Sequence, residues 1–245
     1  MNKPDYTGLE LPPPPPDRPY VLVNMVMSAD GKAVIDGTEK GLGSKTDQRL
    51  MRELRVNADV VLAGSGTLRA SGVSARLNDV SLEDLREARG KPRSPISSII
   101  SRSGVLPLER AFFTAPDIQG IVYLSTLAPA EARAAIVATE RQVVDVEAGN
   151  EIGAALRHMR RTLDANVLLC EGGPTVNAEL FAQGFVDEYF LTLGPEIVAG
   201  RNSITAVEGA EAFAADEVKH LELVSAVPNP ETNEVYLRYR VRRLG

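Results

Sequence analysis

At 245 residues, with 44% hydrophobic residues and a formal net charge of -6, the chain can form one large domain or two small ones; its charge argues against a general nucleic-acid or anionic-membrane surface. Its one cysteine, Cys170, excludes an internal disulfide framework and any multi-cysteine zinc site, and fits a reducing cytoplasm. No apolar stretch reaches the ~18 residues needed to span a bilayer, and the N-terminus lacks a charged-then-apolar signal pattern.

In chain order, residues 1–18 read as an extended arm, because five prolines, Pro12 to Pro16, favour polyproline II. Residues 19–245 read as one domain with no internal repeat or linker. Tyr20 to Met27 is an apolar first strand ending at the turn Ser28-Ala29-Asp30-Gly31. Ser44 or Thr46 can cap a helix through Asn57, with Leu50, Met51 and Leu54 on its buried side. Asp59 to Ala63 is a second strand. Gly72 to Pro95 is charged and reads as a surface excursion with a short helix around Leu82 to Ala88. Ile96 to Ile100 is a third strand.

From Ile121 onward, strands (Ile121 to Leu124, Gln142 to Val146, Val167 to Cys170) alternate with helices (Pro129 to Thr139, Ile152 to Leu163, Thr175 to Gln183). That βα rhythm predicts an α/β fold with a mostly parallel sheet and helices on both faces. The end breaks the rhythm. Glu188 to Leu193, Val218 to Val227 and Val235 to Arg242 are strand-like, and the last two predict a closing C-terminal antiparallel hairpin. An edge strand left by that hairpin could be covered by homodimerisation.

Two strand ends carry small residues. Glu171-Gly172-Gly173-Pro174-Thr175 joins a strand to a helix whose exposed N–H groups and dipole favour an anion, while the glycines let the backbone approach it. Gly64-Ser65-Gly66-Thr67 ends the second strand in a similar way. Each segment alone also fits an ordinary turn. Together they predict one phosphate-accepting cleft at the carboxyl ends of the strands. Glu171 is the odd member, since a carboxylate repels phosphate unless it contacts a hydroxyl or amine. Neither segment is a Gly-x-Gly-x-x-Gly or Walker loop, because Arg69 takes the third glycine position and no Gly-Lys-Ser/Thr occurs.

Few other chemistries are available. His158 and His220 have no metal-ligand spacing, so no metal is expected, and Gly64-Ser65-Gly66 is not a nucleophile elbow. A cleft with N–H donors, arginines and carboxylates but no strong nucleophile suits a reaction carried by a cofactor, and hydride transfer from a nicotinamide is the commonest. Ser101 and Ser103 around Arg102 match a 2′-phosphate and point to NADPH, although a solvated turn would look the same. Arg55 and Arg76 are candidates for a substrate phosphate.

These motifs, with Asn24-Met25-Val26-Met27-Ser28-Ala29-Asp30-Gly31, Leu54-Arg55-Val56-Asn57-Ala58-Asp59 and Leu193-Gly194-Pro195 with Gly200, resemble the RibD C-terminal pyrimidine reductases of riboflavin biosynthesis over about Pro19 to Arg242. The resemblance implies a dihydrofolate-reductase-like fold, a cytoplasmic homodimer, NADPH, and a phosphorylated diaminopyrimidinone whose ribosylamine is reduced to ribityl. It implies that the strand end at Ser28 and Asp30, the loop at Ser44, Thr67 and Gly172 to Thr175 hold the cofactor. Arg55 and Arg76 would take the substrate phosphate, and Glu171 and Asp30 would be the catalytic candidates. Ser71 stands where many relatives carry an acid in contact with substrate, and Gly43 replaces an aromatic residue before Ser44. The deaminase half is absent, since its zinc ligands are missing. A reductase of the same fold acting on another pterin or pyrimidine such as dihydrofolate, and a non-catalytic NADPH-binding protein, are the alternatives.

Overall fold

Runs rich in Val, Ile and Leu that are buried on both faces need helices on both sides, and the computed structural model, which describes residues 3–242, has that arrangement. Among these residues nine strands form one sheet: β1 (Tyr20–Met27), β2 (Val60–Gly64), β3 (Ile96–Ser101), β4 (Gly120–Ser125), β5 (Gln142–Val146), β6 (Val167–Cys170), β7 (Glu188–Leu193), β8 (Leu221–Asn229) and β9 (Glu234–Val241). Their spatial order is β5-β4-β3-β2-β6-β1-β7-β9-β8. The first seven pair in parallel, whereas β9 pairs antiparallel with both β7 and β8. The mostly parallel sheet and closing hairpin thus match the expected architecture.

The period of two along each strand sorts side chains between the faces. Val21, Val23 and Leu62 pack with Leu156 and Met159 of α6 (Glu151–Arg161) and Leu180 of α7 (Pro174–Ala182). Leu22, Val61 and Leu169 face the other way, onto Leu50 and Leu54 of α1 (Lys45–Asn57). On that face Ile99 and Val122 meet Leu68 of α2 (Ser65–Ala70), Phe112 of α4 (Ala111–Thr114) and Ile136 of α5 (Ala130–Val137).

Two segments differ from the sequence reading. The charged stretch 72–95 is not all surface: Val73, Ala75 and Leu77 are buried, and α3 (Val80–Ala88) buries Leu82 and Arg86. Arg86 is only 1% exposed because its Nη1 donates to the carbonyls of Arg55, Val56 and Ala58, and its Nε to Pro92 O. The guanidinium thereby caps the C-terminal end of α1, where carbonyls lack helical partners and a cation is favoured. Gly64-Ser65-Gly66-Thr67 is likewise no simple turn, since α2 starts at Ser65.

The proline-rich segment forms no helix or strand, but what precedes it is docked on the domain. Tyr6 is buried, meets Phe190 edge-on at 5.0 Å, receives Asn57 Nδ2 on its carbonyl and donates its N–H to Glu53. The ends of the expected arm and domain, residues 1–2 and 243–245, lie outside the described residues. Tyr6→Ala is expected to lower unfolding free energy by about 3 kcal/mol, the usual loss for a buried aromatic. A denaturant midpoint unchanged from wild type would show that the docking contributes nothing.

Candidate active site

Chain order runs from β2 outward to β5 on one side of β1 and then returns to insert β6 between β1 and β2. Strand order reverses there, and a crevice opens beyond the carboxyl ends of β1, β2, β3 and β6. It is a cleft of about 790 Å³. The two glycine junctions adjoin in its wall, because β2 and β6 are paired and Gly64 N–H donates to Gly172 O at 2.9 Å. Backbone packs so closely here that a Cβ on Gly64 would lie 2.9 Å from Val176 Cγ2, and one on Gly173 would lie 3.2 Å from Thr67 Oγ1. Gly172 has φ +85°, which only glycine adopts without strain, and the Gly172–Gly173 peptide is cis.

Gly173 starts α7 with no side-chain cap, and Pro174 occupies the first helical position. The free N–H groups of that first turn, with Gly173, Pro174, Thr175 and Val176 in the cleft wall, form a seat for an anion. Beside it, Glu171 is clamped by Arg55: Nε donates to Oε1 at 2.6 Å and Nη2 to Oε2 at 2.7 Å. Both side chains are nearly buried, at 12% and 10% exposure. Arg55 also donates Nη1 to Arg76 O, so its fork is occupied by protein acceptors.

The cleft gathers Gly64, Gly66, Thr67, Ser71, Ser101 and Arg102 with Arg55 and Glu171. Ser71 Oγ reaches Thr67 O at 3.4 Å. Arg102 is 63% exposed at the rim and is paired with Glu179 at 2.7 Å and Glu151 at 3.6 Å. Ser101 is buried and accepts from Gly104 N–H, and Ser103 accepts from Val105 N–H.

Other expected positions fall outside the wall. Arg76 turns to Asp117, which it holds bidentately at 2.6 and 2.7 Å beside a separate depression of about 530 Å³. Its guanidinium is not brought to Arg55. Ser28 Oγ donates to Asp30, and Asp30 also accepts from the N–H groups of Val198 and Ala199, tying the end of β1 to a distant loop. The Ser28 hydroxyl, then these amides, hold the Asp30 carboxyl at about 2, so it carries no proton to give at neutral pH. Ser44 caps α1, accepting from the N–H groups of Thr46 and Asp47, and its own N–H and Oγ donate to Glu234 of β9 at 2.7 and 2.6 Å.

Cys170 is fully buried behind the cleft, and burial pushes its thiol up to about 12, which suits packing and not nucleophilic attack. Sequence reasoning did not single out Asp47, Gln48 and Glu208 as wall residues, nor Met25, which sat inside a quoted motif. Asp47 had a signal: it is the third helical residue after Ser44, the acidic position of a capping box.

Topology and wall define an α/β protein of the mostly parallel, doubly covered kind, with an anion seat beside a clamped carboxylate. The chain belongs to the RibD C-terminal domain family, whose sequence model matches residues 19–230. It is 28% identical over 209 residues, covering 84% of this chain and 94% of the relative, to a 2,5-diamino-6-ribosylamino-4(3H)-pyrimidinone 5′-phosphate reductase of Archaeoglobus fulgidus. It is 27% identical over 214 residues to the Methanothermobacter thermautotrophicus protein of the same name, covering 84% of this chain and 91% of that one. A pyrimidine reductase-like protein of Corynebacterium diphtheriae shares the fold, with a TM-score of 0.82 at 20% identity, over 93% of this chain and 94% of that one.

Proposed function

We propose that this protein reduces the ribosylamino side chain of 2,5-diamino-6-ribosylamino-4(3H)-pyrimidinone 5′-phosphate to the ribitylamino form in riboflavin biosynthesis, with NADPH as reductant. The observation that carries this reading is the uncapped start of α7 directly beside Glu171 in one cleft, an anion seat and a polar acceptor on neighbouring residues. The family and its reductase relatives imply a nicotinamide cofactor. The wall fits one, because the uncapped start of α7 turns N–H groups toward a pyrophosphate, and a Cβ on Gly64 or Gly173 would crowd Val176 or Thr67, which line that seat. When bound, the nicotinamide supplies a hydride.

The protein's part is binding and alignment. Gly173 to Thr175 would hold the pyrophosphate, with Gly64, Gly66 and Thr67 opposite. Arg102 would turn from Glu179 toward a 2′-phosphate. Glu171, oriented by Arg55, would accept hydrogen bonds from the amino or hydroxyl groups of the substrate. Alignment within about 3–3.5 Å of the reacting carbon is worth several kcal/mol of the barrier. Because Arg55 is occupied and Arg76 is turned away, a substrate phosphate would need Arg76 to leave Asp117; that exposed pair is cheap to break.

A homodimer would cover the edge strand β8, where Leu223 and Val224 are exposed. A cytoplasmic location suits a biosynthetic enzyme with a buried free thiol, and among the described residues no helix is long and apolar enough to cross a membrane.

Arg102→Ala is expected to weaken NADPH binding, read by quenching of nucleotide fluorescence, while NADH binding is spared. Equal loss for both nucleotides would remove the 2′-phosphate site. The function itself is tested by NADPH oxidation against a panel containing the ribosylaminopyrimidine phosphate, its unphosphorylated form and dihydrofolate. Turnover of the first alone supports the reading, and turnover of dihydrofolate alone overturns it.

A further inference from the structure

Reducing an imine needs a proton on nitrogen as well as a hydride on carbon, and most wall carboxylates are already committed. Glu171 is held by Arg55, Glu151 accepts from Ser125 Oγ and Gly149 N–H, and Glu179 stands at the rim beside Arg102, on the side assigned to the 2′-phosphate. Glu208 accepts from the N–H and hydroxyl of Thr205, and Glu39 is exposed on a loop. Asp47 differs. It occupies the acidic position of a capping box, where its carboxylate would ordinarily bond the N–H of Ser44. Glu234 takes that N–H instead, at 2.7 Å. The Asp47 carboxyl is thus turned from the cap into the cleft wall, where it has no cationic partner among the described residues, takes a hydrogen bond from Thr192 of β7, and lies so close over Gly43 that a Cβ there would sit 2.2 Å from its Oδ2.

We propose that Asp47 is the proton donor of the reduction, delivering the proton of its carboxyl to the imine nitrogen of the ring-opened substrate. This rests on the reductase reading above. The hydride pair from NADPH forms the new C1′–H bond, the C=N π pair moves to nitrogen, and the N–H bond forms as the Asp47 O–H bond breaks. NADPH is oxidised, the imine is reduced to the ribityl amine, and the Asp47 carboxylate regains a proton from solvent.

The surroundings keep that proton available. From β7, Thr192 hydrogen-bonds the carboxyl; from β9, Glu234 is the charged group whose field reaches it; from the N-terminal segment, the Tyr6 phenol lies within its field. Lys40 and Glu39 on the preceding loop are exposed, Asn24, Met25 and Val26 of β1 share the wall and are uncharged, and Arg52 and Arg55 are the other charged wall residues of α1 itself. Burial would raise Glu234, but hydrogen bonds from Ser44 and Tyr236 outweigh it and keep that carboxyl below its ordinary range, hence negative. Burial, helped by the Glu234 charge and opposed by Thr192, pushes Asp47 up to about 6. A carboxyl titrating near working pH is suited to general-acid catalysis.

Linkage fixes a sign independent of turnover. An acid whose folded pKa is raised from 3.8 to about 6 makes the native state less stable as pH rises across that window. The test combines a carboxyl titration by carbon NMR, unfolding from pH 4 to 7, NADPH binding and the kcat profile, in wild type, Asp47→Asn and Asp47→Glu. Expected are one carboxyl titrating near 6 in wild type and missing in Asp47→Asn, with the fall in stability across the window also missing. In kcat, expected are about a 100-fold loss for Asp47→Asn with NADPH affinity unchanged, disappearance of the limb that falls as pH rises, and partial recovery in Asp47→Glu. Titration in the ordinary carboxylate range, or an unaltered kcat limb in Asp47→Asn, would overturn the proposal. If wild type fails to turn over the pyrimidine phosphate, the reductase reading fails instead, and the NMR titration still reports the protonation of Asp47 separately.

Discussion

Glu171→Gln is expected to lower kcat/KM for the ribosylaminopyrimidine phosphate by roughly 10- to 150-fold, the worth of one charge-assisted hydrogen bond of about 1.5–3 kcal/mol, while leaving NADPH affinity unchanged. The reason lies in how the carboxylate is held. Each oxygen accepts one N–H from Arg55, which leaves other lone pairs directed elsewhere and fixes the carboxylate plane. Gln keeps one acceptor but presents an amide N–H₂ to a guanidinium, so the clamp loses a bond and the group turns. Glu171→Ala is the cruder change, because it strands the nearly buried Arg55 guanidinium and adds a folding penalty of several kcal/mol. Steady-state kinetics beside nucleotide titration separates these effects. Parallel loss of cofactor and substrate binding in Glu171→Gln would assign Glu171 to the cofactor seat instead.

Arg86→Met is expected to cost about 3 kcal/mol or more in unfolding free energy, since several buried carbonyls lose their donor and each is worth about 1–3 kcal/mol without being additive. Burial pulls the Arg86 guanidinium down to about 10, so it stays charged at neutral pH while bonded to three carbonyls at the end of α1. Met fills similar space and supplies no donor. Lys supplies one compact ammonium where a planar fork is needed, so Arg86→Lys is expected to recover only part of the loss. Urea unfolding of the three proteins measures the effect, and a Met variant as stable as wild type would remove the cap. The change matters for the cleft as well, because α1 carries Met51, Arg55 and Asp47 in its wall.

What the sequence disclosed follows the range of the interactions. β1, β6 and β7 fall where their apolar runs predict, because each is a local pattern largely buried within the sheet, and the edge strand β5 falls where its run of Val residues predicts. Ser44 was readable as a helix cap for the same reason, as its partners lie two and three residues away. The link from Ser44 to Glu234 crosses 190 residues and leaves no local trace, so the release of Asp47 from its capping box was hidden. Arg86 looked like one more charge in a charged stretch, since only the folded position of the end of α1 explains its burial. Tyr6, Leu9 and Leu11 sit among polar residues and prolines, and only the packed Phe190 and α1 surfaces make that segment part of the core.

Within the cleft, the glycine junctions were visible as composition, and pairing of β2 with β6 brings them together. The arginines behaved differently. Arg55 and Arg76 could be selected by residue type, yet their present partners, Glu171 and Asp117, are 116 and 41 residues distant. A long side chain chooses its acceptor from the folded neighbourhood, and spacing along the chain does not constrain that choice.

The most direct measurement is a single turnover with NADPH deuterated at nicotinamide C4, followed by mass and NMR analysis of the pyrimidine product. Direct hydride transfer predicts one deuterium, located at C1′ of a ribitylamino product. A ribityl product without deuterium from either C4 face, or deuterium on the pyrimidine ring, would contradict it.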